Sequence, residues 1–244
     1  MIYDLQKASL LKRFSAFLLD LILVATLAVG FALLVALIVD FDSYNVEMKQ
    51  AEQACIDAGI DTKTITLEQY NALSDELRQL YDKYDDSILV CFSLIFTEVS
   101  VGLFMSFLIC EFIVPLILKN GRTVGKKVFN IGVMQINGIR VRTVSLFVRA
   151  MLGKYAIETM VPLSLATFFL FVTHELFLLI VFVAIVLLQV VLFFVTKNYS
   201  FIHDVLASTV VVDLSQQLIF ETPQDLVDYK AQIHAQQVAD DNKY

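Results

Sequence analysis

Apolar residues fall into four long runs, at roughly 14–39, 88–118, 155–173 and 176–196. A helix needs about 20 mostly apolar residues to cross a bilayer, and each run meets or approaches that length. The first is too long for the core of a signal peptide, and no small-residue cleavage site follows it, so it reads as a retained span. The second, "SILVCFSLIFTEVSVGLFMSFLICEFIVPLILKN", would be about 46 Å long as a helix, against a hydrocarbon core of about 30 Å. It is expected to tilt or project, and Pro115 is expected to loosen it near Glu111.

Other periodicities fill the intervals. In "TLEQYNALSDELRQLYDKYDD" Thr66 and Gln69 have capping-box spacing, and Leu67, Tyr70, Leu73, Leu77, Leu80, Tyr81 and Tyr84 recur at three- and four-residue steps. One amphipathic helix is expected there, running straight into the second span. "YNVEMKQAEQACIDAG" predicts a shorter helix ended by Gly59. Together they predict a helical hairpin within 40–86. "VFNIGVMQING" has β character around an Asn137-Gly138 turn. "TVSLFVRAML" reads as a short surface helix interrupted by Arg149. "FIHDVLAS" predicts a turn or two of helix, and "TVVV" a strand whose expected partner is "NIGVMQI". Thr222, Pro223 and Asp225 open a short tail helix.

Charge orients these elements. The chain has 244 residues, is 58% hydrophobic and carries a net charge of −7. Residues 40–86 alone hold 12 acidic and 4 basic residues, whereas 119–154 hold 8 basic residues and no acidic one. Basic loops stay on the cytoplasmic side. The N-terminus, 119–154 and the C-terminus are therefore expected inside and 40–86 outside. The expected fold class is an all-α membrane protein with four transmembrane helices, cytoplasmic termini, a small cytoplasmic β element and an extracytoplasmic helical hairpin. It divides into 1–39, 40–86, 87–213 and 214–244. The basic loop suits anionic headgroups or a negative ligand, but such a cluster more commonly serves only to set topology. The three cysteines form no CxxC pair and no external even set, so neither a disulfide framework nor a zinc site is expected.

The first span poses the chemical question. Arg13 and Asp20 lie seven residues apart on one helix face, separated by roughly 10 Å along the axis. That is too far for a direct bridge. Asp at a bilayer centre costs about 2.5–3.5 kcal/mol, so Asp20 is expected to face protein or a water cavity. Arg13 equally fits a snorkelling anchor. Glu111 raises the same question as Asp20. Glu98, Glu158 and Glu175 sit near expected span ends and read as interfacial, and His174 as exposed.

These residues carry a resemblance. "KRFSAFLLD", with Arg13 and Asp20, and "FIHDVLASTVVVD", with His203 and Asp204, resemble the motifs of the RDD family of bacterial membrane proteins. "NGRTVGKKVFNIGVM" resembles that family's basic loop at Gly121, Thr123, Gly125 and Lys126, and Arg149 a further arginine of the family. The likeness covers about 7–39 and 88–213. It implies a multi-pass protein of the bacterial cytoplasmic membrane, with transport of unidentified ligands the usual suggestion.

Two functions compete. Intramembrane carboxylates could bind protons or cations in a transporter or a coupling subunit, with Arg13, Asp20, Glu111, Arg122, Arg149, His203 and Asp204 as the charge network. Alternatively, the same charges only pin cytoplasmic elements to the spans. Four spans are few for a complete pathway, so beyond the lipid bilayer a second copy or a membrane partner is expected. No nucleophile, metal-ligand set or phosphate loop completes an enzyme site. No cofactor and no nucleic-acid partner is expected. For Asp204 the expected partner is one of Arg13, Arg122 or Arg149. For Asp20 it is Arg149, or backbone N–H and hydroxyl groups.

Overall fold

The computed structural model describes residues 6–62, 65–170 and 175–241, which form two compact units. One comprises the chain up to Ala25 together with Ser106 onward; the other is Thr26–Met105. Among the described residues, three helices are long and apolar enough to cross a membrane: Leu10–Val39, Asp75–Leu118 and Leu176–Val195. They match the first, second and fourth expected runs.

The described part of the third expected run, up to 170, is helix of mixed geometry. After α7 (Thr143–Phe147) the helix widens to π geometry over Val148–Met160 and returns to α form in α8 (Val161–Phe168). Residues 171–174, including His174, lie outside the described residues. The second span behaves alike: α4 (Asp75–Phe107) widens over Leu108–Ile113 before α5 (Val114–Leu118). Both widened turns run into a proline, Pro115 and Pro162. A proline ring cannot donate to the carbonyl four residues back and clashes with it. The chain answers by lengthening the preceding bonds: the N–H of Val114 reaches Ile109 O and that of Val161 reaches Ala156 O, each five residues back. Arg149 therefore does not interrupt a short surface helix, as expected, but sits inside a continuous widened one.

In the unit Thr26–Met105, α2 (Phe41–Asp57) lies against the start of α4. Ala51, Cys55, Ile60 and Tyr84 form its buried core, flanked by Leu77, Leu80 and Tyr81. Gly59, at φ 78°, turns the chain after α2, as its position predicted. The single helix expected from Leu67 is two. Thr66 and Gln69 do form the capping box, but α3 (Leu67–Asn71) stops after five residues. Ser74 then restarts the helix, its hydroxyl accepting from the Leu77 N–H at 3.4 Å. From there α4 enters the second span without a break, as expected. Deeper in this unit Gly102 lies against α1 (Leu10–Val39) so closely that a Cβ would sit 2.5 Å from Ala28 O.

In the other unit, β1 (Ile131–Gln135) pairs antiparallel with β2 (Thr209–Asp213), Val133 opposite Val211. These are the two segments expected to pair, and Gly138, at φ 88°, closes the turn after β1. Residues of the N-terminal segment run along the other edge of β2, with Asp213 N–H donating to Gln6 O at 3.1 Å. Val133 and Val211 pack with Ala8 and Ala16; Met134, Val210 and Val212 pack with Leu214 and Ile219. Both faces of the sheet are thus covered, which is why its strands read as apolar runs. The helices α6 (Val124–Val128), α9 (Leu176–Val195), α10 (Ile202–Leu206) and α11 (Pro223–Asp241) complete this unit. Thr222 caps α11 as predicted, its hydroxyl accepting from the Asp225 N–H at 3.2 Å.

Candidate functional site

The first span's carboxylate is held by neutral donors. Thr123 Oγ1 donates to Asp20 Oδ2 at 2.5 Å and the Gly125 N–H donates to Oδ1 at 2.7 Å. Both come from the loop "GRTVGKK", where Thr123 also caps α6 by accepting from the Lys126 N–H at 3.3 Å. The fit requires Gly125. A Cβ there would lie 2.3 Å from Ala16 O and 2.9 Å from Asp20 Cγ. Of the two partners expected for Asp20, backbone and hydroxyl groups are the ones found.

Asp204 is almost wholly enclosed, at 1% exposure. Arg149 NH1 donates to its Oδ1 and also to Thr209 Oγ1, the latter at 2.8 Å. Arg13 NH2 stands 3.7 Å from Asp204 Oδ2, while its guanidinium donates to the carbonyls of Asn198 and Tyr199 at 3.0 and 2.8 Å. Asp204 thus meets two of the three arginines expected for it. The third, Arg122, donates to Leu118 O at 2.9 Å and does not join this cluster.

His203 bridges to a residue that sequence reading set aside. Its Nδ1 lies 2.7 Å from Glu158 Oε2, and its backbone N–H donates to Glu158 Oε1 at 2.9 Å. Its Nε2 lies 3.2 Å from Arg149 NH2. Burial, reinforced by the positive charge of Arg149, holds the imidazole pKa well below its ordinary value. The ring is then neutral, donating from Nδ1 to the carboxylate and accepting from Arg149 at Nε2. Gly153 permits this contact, since a Cβ there would lie 2.5 Å from His203 Cβ. Glu158, near the start of the third run, is partly buried, its side chain 14% exposed, and is bonded to His203.

Glu111 takes two cations: Lys154 Nζ at 2.5 Å and Lys126 Nζ at 3.9 Å. Burial, and then the like charge of Lys154, lowers the Lys126 pKa to about 8.

These groups line one cavity of about 710 Å³, whose lining residues all belong to the unit that contains Asp20. Arg13, Asp20, Glu111, Arg149, His203 and Asp204 of the expected network face it; Arg122 does not. Sequence reading missed Lys154 and Glu158, and gave Lys126 no role beyond the basic motif. One signal could have found Glu158: "EFIVP" and "ETMVP" repeat a glutamate four residues before a proline. That places each carboxylate in a widened turn, where π geometry commonly accompanies function.

The chain belongs to the RDD family, whose sequence profile matches residues 7–208. No curated protein and no solved structure shows a significant match.

Proposed function

We propose that this chain is a multi-pass protein of the bacterial cytoplasmic membrane that binds a small ligand in the charged cavity, as a transporter or as a coupling subunit of one. The observation that carries this reading is the cavity itself, about 710 Å³ with nine ionisable side chains on its lining. Intramembrane charge is costly and tends to mark a ligand or proton path. A proton suits the arrangement better than a metal cation as coupling ion, because Asp20, Glu111, Glu158 and Asp204 each face donors and not one another. The basic loop favours the cytoplasmic side for the β element and the acidic segment 40–86 the opposite side. A complete pathway would call for a second copy or a membrane partner.

The test is flux in proteoliposomes. With a pH gradient imposed, wild-type protein should move protons or a coupled ion, and Glu111→Gln and Glu158→Gln should stop it. Asp213→Asn, which lies off the cavity lining, should leave flux intact. Wild-type vesicles with no flux of protons, sodium or potassium would overturn the transport reading. One observation favours a second reading, a non-transporting structural protein: Asp20 and Arg13 both end on polar groups of connecting segments, at Thr123, Gly125, Asn198 and Tyr199. On that reading the same substitutions lower stability, and wild type moves nothing.

A further inference from the structure

Lys126 is the odd member of the cavity. Its ammonium carries three donors and its side chain is 9% exposed, yet among the described residues no acceptor lies within hydrogen-bonding distance of Nζ. The nearest carboxylate oxygen, Glu111 Oε2 at 3.9 Å, belongs to a group already bonded by Lys154 at 2.5 Å. Two cations therefore share one carboxylate at this end of the cavity. Lys126 lines the cavity, and an anion arriving beside its ammonium would gain a charge-assisted hydrogen bond there.

Other lining residues have another character. Phe14, Phe17 and Leu21 of α1 line the cavity, with Phe193 of α9. The first three are also 58%, 54% and 48% exposed. Exposed apolar side chains that line a cavity on a membrane helix offer an alkyl chain a continuous apolar surface. A free inorganic anion would gain nothing from this surface, whereas an alkyl chain would gain about 0.8 kcal/mol per buried CH₂.

We infer that the cavity takes an amphiphile whose phosphate or carboxylate head lies at Lys126, on the side away from Glu111, and whose apolar tail leaves past Phe14, Phe17 and Leu21. This rests on the cavity being a ligand site, but does not require that the ligand be transported.

Native mass spectrometry of the full chain, released from nonionic detergent, tests it. The probes are phosphatidic acid, diacylglycerol of the same chains and inorganic phosphate. Wild type should retain one phosphatidic acid at least tenfold more tightly than diacylglycerol, and millimolar inorganic phosphate should not displace it. Lys126→Met should remove that preference, while Lys127→Met, an exposed neighbour with the same loss of charge, should keep it. A diazirine in the phosphatidic acid tail should crosslink wild type within 14–24 or 189–193, which needs no variant to fold. The inference is overturned by equal retention of both lipids, by full preference in Lys126→Met, by displacement with inorganic phosphate, or by crosslinks only elsewhere. Binding without flux would leave the inference standing and remove the transport reading; flux without this binding would do the reverse.

Discussion

Replacing Asp20 by alanine should destabilise the protein far more than replacing it by asparagine. The carboxylate accepts from Thr123 Oγ1 at 2.5 Å and from the Gly125 N–H at 2.7 Å. Hydrogen bonds to a charged group contribute about 1.5–3 kcal/mol each, and stranding a buried donor costs a comparable amount. Asp20→Ala removes both bonds and leaves the Gly125 N–H buried, so about 3–5 kcal/mol should be lost. Asparagine can still accept from Gly125 N–H, and its amide can donate to the Thr123 hydroxyl, so its loss should stay near 1 kcal/mol, about the net worth of one neutral bond. Gly125→Ala attacks the same joint sterically, since its Cβ would lie 2.3 Å from Ala16 O. Overpacking of this kind costs about 1–3 kcal/mol or more. Because Gly125→Ala already separates the donors from Asp20, the double variant should be less destabilised than the sum of the single ones. Unfolding of the full chain in mixed micelles, titrated with denaturing detergent, measures wild type, the three single variants and the Asp20→Ala/Gly125→Ala double variant. An Asp20→Ala protein within about 1 kcal/mol of wild type, or strict additivity with Gly125→Ala, would refute the claim that this carboxylate docks the loop on α1.

The Asp204 pair should show the same logic with charge. Asp204→Ala leaves Arg149 and Arg13 facing each other and should cost about 3–5 kcal/mol, part of which Arg149→Met should restore in a double-mutant cycle. A hydrogen bond from Lys12 at 2.6 Å, helped by Ser215, holds Asp213 at about 2. Its folded pKa lies below the unfolded value near 3.9, so its stabilisation is present above about pH 4 and is lost as pH falls towards 2. Melting curves between pH 2 and 5 should steepen in wild type relative to Asp213→Asn, and identical slopes would sink the assignment. Topology can be read by cysteine labelling in whole cells. Gln79→Cys should react with an impermeant reagent and Asn137→Cys should not, and the reverse pattern would invert the proposed orientation.

The sequence alone determined whatever depends on local periodicity or on spacing within a few residues. Three helices long and apolar enough to cross a membrane, the capping box at Thr66, the Gly59 stop, the turn at Asn137-Gly138 and the pairing of β1 with β2 follow from apolar runs, caps and β-branched stretches, because those signals act over one or two turns. The order of Arg13, Asp20, Lys126, Arg149 and Asp204 was enough to suggest the family. Tertiary structure alone decided which charges meet. Asp20 lies over a hundred positions from Thr123 and Gly125, and Glu158 over forty from His203, separations at which no periodicity carries information. Arg122 looked as eligible as Arg149 in sequence, yet it turns back to Leu118 O while Arg149 reaches Asp204. Glu158 looked like a span-end residue until the widened turn before Pro162 and the close approach at Gly153 set it against His203. The third run carries the same lesson: a proline's missing donor changes the helix that precedes it, and only the folded chain shows what the new register brings together.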